Sequence, residues 1–356
     1  MPNKKYTIII LVVLLLGCQA PEYVKATKHS VRVLHPAIQV ASNTVQDKIQ
    51  DYLLGKGING SVTVVDHQRI IYNEGIGFSN LVKKDKNTAE TTYPVASVTK
   101  TFVATSIMQL QEKGKLKIED PVSKYLPKFP NGQKIKLIHL LTHTSGLQPP
   151  IWHKGDNTPQ KVVSEIGKRR MLFPAGFQWD YKDANYMVLG LIVEKVTGMP
   201  LHDYIEKNIF AVAGMKDSGF ITAKDPRPFS ADGYVKRGFL LRKESDFNSY
   251  LLYGCGDIYM TAYDLSLYDE ALVGGKLVSL NSLKLMLKPG SKANYGLGLY
   301  VNGSGFYSHG VLGGWESLHV YHNDQTVIVL LLNIRDKNTD IHHIAADLYS
   351  LIKQKA

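Results

Sequence analysis

The period of apolar positions changes along the chain, and each period names an element. Residues 61–65 (Ser-Val-Thr-Val-Val) and 70–72 (Ile-Ile-Tyr) are β-branched runs separated by Asp66, His67, Gln68 and Arg69, which predicts a hairpin. From 97 to 113, apolar residues at Val98, Phe102, Ile107 and Leu110 follow a helical spacing that stops at Gly114. The middle, roughly 115–290, reads as helices punctuated by Pro and Gly. Three strand-like runs follow at 295–301, 317–322 and 326–333, the last almost wholly apolar, as in a buried strand. An amphipathic helix over 341–353 comes last. Strands at both ends with helices between them predict an α+β fold. The termini jointly build one sheet flanked by helices, and the helical middle lies beside it.

The first residues stand outside this pattern. Lys4 and Lys5 precede an uninterrupted apolar stretch over 8–16 that ends at Gly17 and Cys18. A basic end, an apolar run of roughly 7–15 residues and a small residue at the cut mark an export signal. The run is short of the roughly 20 apolar residues that a membrane span needs. Leu15-Leu16-Gly17-Cys18 also resembles a bacterial lipoprotein box, which implies lipidation of Cys18. Gln19 after the cysteine resembles the outer-membrane sorting of Gram-negative lipoproteins. The expected organisation is a signal over 1–17, a lipid-anchored tether over 18–45 and one domain over 46–356, exported and held at the periplasmic face of a membrane. With Cys18 so used, Cys255 has no cysteine left to pair with. The formal charge of +11, or +9 without Lys4 and Lys5, is scattered rather than clustered. That pattern fits a solvated lysine-rich face, and in an exported protein it argues against a nucleic-acid partner.

Chemistry concentrates at Ser97-Val98-Thr99-Lys100. A serine hydroxyl is a poor nucleophile until a nearby group takes its proton. On a helix, i and i+3 share a face, so Lys100 is expected beside the Ser97 oxygen. The free N–H groups at the helix start favour negative charge there, as on an oxyanion. Burial and neighbouring cations would have to outweigh the surrounding acids for Lys100 to be held neutral. The same spacing recurs at Ser350-Leu351-Ile352-Lys353, where an exposed helical face is the better reading. His139 and His143, four apart, lack the glutamate of a His-Glu-x-x-His metal motif, so no metal or other cofactor is expected. His342-His343 reads as a surface pair, and Trp152, His153 and Trp179 as core aromatics or pocket walls.

Longer stretches carry a resemblance. Residues 95–102 (Val-Ala-Ser-Val-Thr-Lys-Thr-Phe) are similar to the nucleophile segment of the class C β-lactamase and penicillin-binding-protein-like serine hydrolases. So are 114–127 (from Gly-Lys-Leu to Asp-Pro-Val-Ser-Lys-Tyr-Leu-Pro), 135–147 (through His-Leu-Leu-Thr-His-Thr-Ser-Gly-Leu), 254–262 and 295–298 to that family's later landmarks. The resemblance spans roughly 50–335. It implies the serine β-lactamase/DD-peptidase-like fold, an antiparallel sheet flanked by helices with an all-helical subdomain and the site in the cleft between them. It also implies an acyl-enzyme on Ser97. The family's Tyr-x-Asn falls on Tyr181-Lys182-Asp183, which makes Tyr181 the proton shuttle, favoured by the positive charge of Lys100.

Two departures stand out. Asp183 replaces an asparagine that can donate to a substrate carbonyl, and an ionised aspartate only accepts. Asp183 is thus a candidate either for altered substrate binding or for pairing with Lys100. The family's Lys/His-x-Gly falls in Tyr307-Ser308-His309-Gly310-Val311. Aligned on the downstream Gly-Trp, its basic member falls on Ser308; aligned on the histidine, it is His309, which we expect to face the site. Ser308, Gly310 and Val311 complete the expected substrate-binding strand, with the N–H groups of Ser97 and Val311 as oxyanion donors. The implied substrates are D-amino-acid peptides or amides of the cell wall. A carboxylesterase, a β-lactamase and a non-catalytic penicillin- or wall-fragment-binding protein are the alternatives.

Overall fold

The two β-branched runs pair as expected. In a computed structural model that describes residues 23–25, 44–151, 158–244, 247–290 and 293–354, strand β1 (Gly60–Asp66) and strand β2 (Arg69–Ile76) form an antiparallel hairpin. Helix α1 (Val45–Gly55) precedes it. Four later strands join it: β3 (Tyr300–Asn302), β4 (Gly305–Leu312), β5 (Trp315–His322) and β6 (Thr326–Leu332). The order across this six-stranded antiparallel sheet is β3-β4-β5-β6-β1-β2, so the two ends of the chain do meet in one sheet. Every residue of β6 is buried, because helices cover both faces of the sheet at its centre.

One face is covered by α1 and the last helix, α6 (Ile341–Lys353), over a core that includes Ile49, Leu53, Ile328, Leu330 and Leu348. The other carries the larger core and helix α2 (Thr99–Glu112), preceded by a 3₁₀ turn over Ala96–Val98. Residues 99–110 of α2 are all buried, so this helix is central rather than amphipathic. Its polar donors are satisfied internally: Thr105 and Ser106 donate to carbonyls one turn back, and Gln109 Nε2 to the carbonyl oxygens of Leu277 and Asn208. Helices α3 (Leu137–Leu141), α4 (Ala184–Thr197) and α5 (Ala262–Val273) pack around this centre.

One expectation needs correction. The run 295–301 is a strand only at its end, from Tyr300. Before that, Gly298 takes φ 87° and a Cβ there would lie 2.5 Å from Ala104 Cβ and 3.1 Å from the Lys100 carbonyl oxygen. The segment is a tight turn laid on α2, where glycine is required. The middle is dominated by helices, as expected, with short strands among them. It contains the hairpin Tyr234–Arg237 and Leu240–Lys243, on which Tyr23–Lys25 pairs, and the short strand Ile258–Met260. The second Ser-x-x-Lys behaves as a surface face: Lys353 turns to Asp66 and Asp324, at 2.8 and 3.2 Å, and Ser350 donates to the Ala346 carbonyl.

Candidate active site

Ser97 sits in the turn that feeds α2, directly after Ala96, whose φ of 48° lies in the left-handed region. For a residue with a Cβ this costs on the order of 1 kcal/mol, and such strain collects at functional sites. The side chain of Lys100 is completely buried one turn on, and its Nζ is shared by three acceptors. These are Ser97 Oγ at 2.9 Å, the Cys255 carbonyl oxygen at 2.9 Å and Asp183 Oδ1 at 2.7 Å. Three acceptors match the three N–H groups of an ammonium. Burial alone would lower the pKa of this amine, but Tyr181 and Asp183 outweigh it and hold Lys100 above the ordinary lysine value. Of the two roles open to Asp183, pairing with Lys100 is the one the geometry forms. The Asp183 side chain nonetheless stays 52% exposed.

Tyr181 lies on the loop that enters α4 and lines the same cavity as Ser97. Its ring stacks on His143 with centroids 4.2 Å apart, and Lys100 Nζ lies 5.0 Å from its centre. Among the described residues, no hydrogen bond joins its hydroxyl to Ser97 or Lys100. The phenol therefore shares the cavity without completing a bonded triad, an arrangement common in catalytic sites free of substrate.

The third element resolves by the alternation of β4. Ser308 is buried and hydrogen-bonded to Thr101 at 2.9 Å, beneath the sheet. It does not face the cavity, contrary to the expectation that it binds substrate. His309 does line the cavity, but both of its ring nitrogens are engaged: Nε2 with Glu316 at 2.9 Å and Nδ1 with His342 at 3.4 Å. A Cβ on Gly310 would come within 2.2 Å of the Val95 carbonyl oxygen and 2.9 Å of the Ser97 nitrogen, so glycine lets β4 lie against the serine turn. Leu312 pairs with Trp315 across a two-residue Gly-Gly hairpin, so even-numbered positions bond β5. The N–H groups of His309 and Val311 then face the strand's other edge. That edge is open here, because β3 pairs only with 305–307. Val311 N–H and Ser97 N–H thus border one cavity of about 410 Å³.

Its remaining walls are Tyr300, Tyr307 and His342. Tyr300 and Tyr307 stack at 5.0 Å, and His342 meets Tyr307 edge-on at 5.2 Å. No sequence signal singled out these tyrosines, and the surface pair at 342–343 concealed one pocket residue. Trp152, His153 and Cys18 lie outside the described residues. Among the described residues no group of three or more His, Cys, Asp or Glu side chains converges as metal ligands. Cys255 is a buried free thiol whose pKa burial pushes up, and it serves the site through its carbonyl oxygen alone.

The profile of the Beta-lactamase family matches residues 45–349. The chain belongs to the Beta-lactamase family. A Bacillus subtilis relative, PbpX, named as a penicillin-binding protein, is 38% identical over 89% of this chain and 81% of its own length. A teichoic acid D-alanine hydrolase of Staphylococcus aureus is 32% identical over 85% of this chain and 77% of its own length. The crystal structure of FmtA from Staphylococcus aureus superposes with a TM-score of 0.78 at 28% identity, covering 86% of this chain and 87% of that one. This member of the Beta-lactamase family is a serine hydrolase with the penicillin-binding-protein-like fold.

Proposed function

We propose that the protein hydrolyses D-aminoacyl esters and amides through an acyl-enzyme on Ser97, with D-alanyl esters of envelope polymers as its first substrate class. The observation that carries this reading is the half-exposed Asp183 carboxylate, held 2.7 Å from the same Lys100 Nζ that bonds Ser97 Oγ, where the family pattern has a neutral amide. A carboxylate there suits an acyl group with a free α-ammonium, and the rings of Tyr300 and Tyr307 in the cavity wall suit the same cation. The third element supplies no lysine to bind a substrate carboxylate, and Lys100, next to Ser97, is fully buried and already paired. The similarity to a teichoic acid D-alanine hydrolase supports the ester in particular.

In this reading Ser97 Oγ attacks the ester carbonyl as its proton passes to the phenolate oxygen of Tyr181. The oxyanion is received by the N–H groups of Ser97 and Val311, each such donor being worth roughly 3–4 kcal/mol. As the C–O bond breaks, Tyr181 returns the proton to the leaving alcohol oxygen. Water then repeats the sequence, releasing the D-amino acid and restoring Ser97. Lys100, already an ammonium, positions Ser97 and balances charge rather than taking its proton.

The test compares D-alanine p-nitrophenyl ester with its N-acetyl derivative. A charge-assisted contact contributes about 1.5–3 kcal/mol, so kcat/KM should fall about 10- to 100-fold when the ammonium is acetylated. Equal rates for the two esters would remove the basis for the ammonium site.

Placement at the envelope is part of the same proposal. No helix among the described residues is long and apolar enough to cross a membrane. Attachment through Cys18 is supported by the lipoprotein-box-like run Leu15-Leu16-Gly17-Cys18. A Cys18→Ser chain expressed in a bacterial host should lose incorporation of labelled palmitate and appear in the soluble fraction. Continued labelling of that variant would refute lipidation at Cys18.

A further inference from the structure

We propose that His143 is the positioning residue for Tyr181 and Asp183, a template for the segment that carries both; this rests on the roles proposed above for those two side chains. His143 is completely buried and holds a left-handed φ of 56° at the end of the turn after α3. It contacts the 180–185 segment four times. Its carbonyl oxygen accepts from Asp180 N–H at 2.9 Å. Its Nδ1 accepts from Lys182 N–H at 3.2 Å and faces Asn185 Nδ2 at 3.1 Å. Its ring stacks on Tyr181.

The tautomer follows from these partners. Asn185 Oδ1 accepts from the Ser145 hydroxyl, and Asn185 Nδ2 donates to the Lys182 carbonyl oxygen at 3.0 Å, which fixes the amide orientation. Nδ2 is therefore a donor toward His143, and Nδ1 of His143 carries a lone pair. Burial, with the Lys100 charge next, holds His143 well below the ordinary histidine pKa, so the ring is neutral with its proton on Nε2. Among the described residues, that buried Nε2 has no hydrogen-bond partner.

An unpaired buried donor costs about 1–3 kcal/mol, and the left-handed φ adds to it. An apolar side chain would fill this space without the first cost. What it would lack is Nδ1, the one side-chain atom that gathers the backbone of Lys182 and the amide of Asn185 and thereby sets the flanking Tyr181 and Asp183. A neutral ring also spares the site a second cation beside Lys100.

The variants His143→Asn and His143→Leu separate template from filler. Asparagine Oδ1 reaches the place of Nδ1 and tolerates φ near 56° better than other residues. His143→Asn should keep kcat within about threefold of the parent. His143→Leu should lose roughly 100-fold in kcat, the effect of misplacing a reacting group by about 1 Å, with KM rising alongside because Asp183 shifts too. If the leucine variant does not fold by circular dichroism, His143→Gln, whose acceptor reaches the Nε2 position instead, takes its place with the same expected loss. Equal kcat in the Asn variant and the Leu or Gln variant, or a loss confined to KM, overturns the template. Tyr181→Phe, measured beside them, keeps the two readings apart. Full activity there ends the role of Tyr181 and the template with it. An inactive Tyr181→Phe beside a fully active His143→Leu ends the template alone.

Discussion

Ser97→Ala should reduce kcat on a D-alanyl ester by about 10⁴-fold or more while leaving the fold intact. The size follows from the division of labour in acyl-transfer sites: removal of the nucleophile leaves only what binding and the oxyanion donors achieve over water. A factor of 10⁴ is about 5 kcal/mol of transition-state stabilisation. The fold should tolerate the change because Ser97 is only half-buried and contributes one hydrogen bond, from Lys100 Nζ. The hydroxyl that is removed lies in the cavity wall, so water can take its place and accept the freed N–H. Thermal unfolding should therefore shift by no more than a few degrees. Intact-mass spectrometry with a fluorophosphonate provides the second readout. The parent should gain one adduct and the variant none. Undiminished turnover, or an adduct that persists in Ser97→Ala, would place the nucleophile elsewhere. A parent that acylates with the D-alanyl ester but never turns over would be a binder rather than an enzyme.

The parts of this site that depend on neighbours in sequence were legible before any coordinates. Ser97 and Lys100 meet because a helix brings i and i+3 together, and the 2.9 Å contact needs nothing beyond that. The β1–β2 hairpin and the buried β6 were equally plain, since β-branched and continuous apolar runs carry their own period. The register of β4 was harder. Two alignments differed by one residue, and in a strand one residue reverses every side chain. Only the pairing with β5 decided that His309 faces the cavity and Ser308 faces Thr101.

Residues that arrive from distant elements left no local trace. His342 reaches the pocket because α6 packs across the sheet near β4, and nothing at 342–343 distinguishes that from a surface pair. The turn over 295–299 was read as a strand because its apolar residues are spaced like one; the positive φ of Gly298 and its contact with α2 overrode the spacing. His143 looked like half of a weak metal pair with His139, four residues away. The left-handed φ at His143 breaks the helical relation on which that spacing argument depended.

Asp183→Asn should change the enzyme in two opposed ways. On D-alanine p-nitrophenyl ester, loss of the carboxylate removes the partner of the α-ammonium, and kcat/KM should fall about 10- to 100-fold. On the N-acetyl ester, which has no ammonium to lose, activity should hold or rise, because asparagine restores a donor for the substrate carbonyl. The ratio between the two esters is the sharper measurement, since both are affected alike by any general damage to the site. The pH profile adds an independent check through Lys100. In the parent, Tyr181 and Asp183 outweigh burial and raise the lysine pKa; without Asp183 the burial effect gains, so the pKa moves down. A larger fraction of Lys100 is then neutral at a given alkaline pH, and any limb of the profile that reports its ionisation moves to lower pH. Breaking a fully buried ion pair costs about 3–5 kcal/mol. Here Asp183 is 52% exposed, water screens the pair, and Ser97 and Cys255 still accept from Lys100, so the destabilisation should stay near 1 kcal/mol. A variant that loses activity equally on both esters, with an unmoved pH profile, would show that Asp183 neither reads the ammonium nor holds the lysine charged.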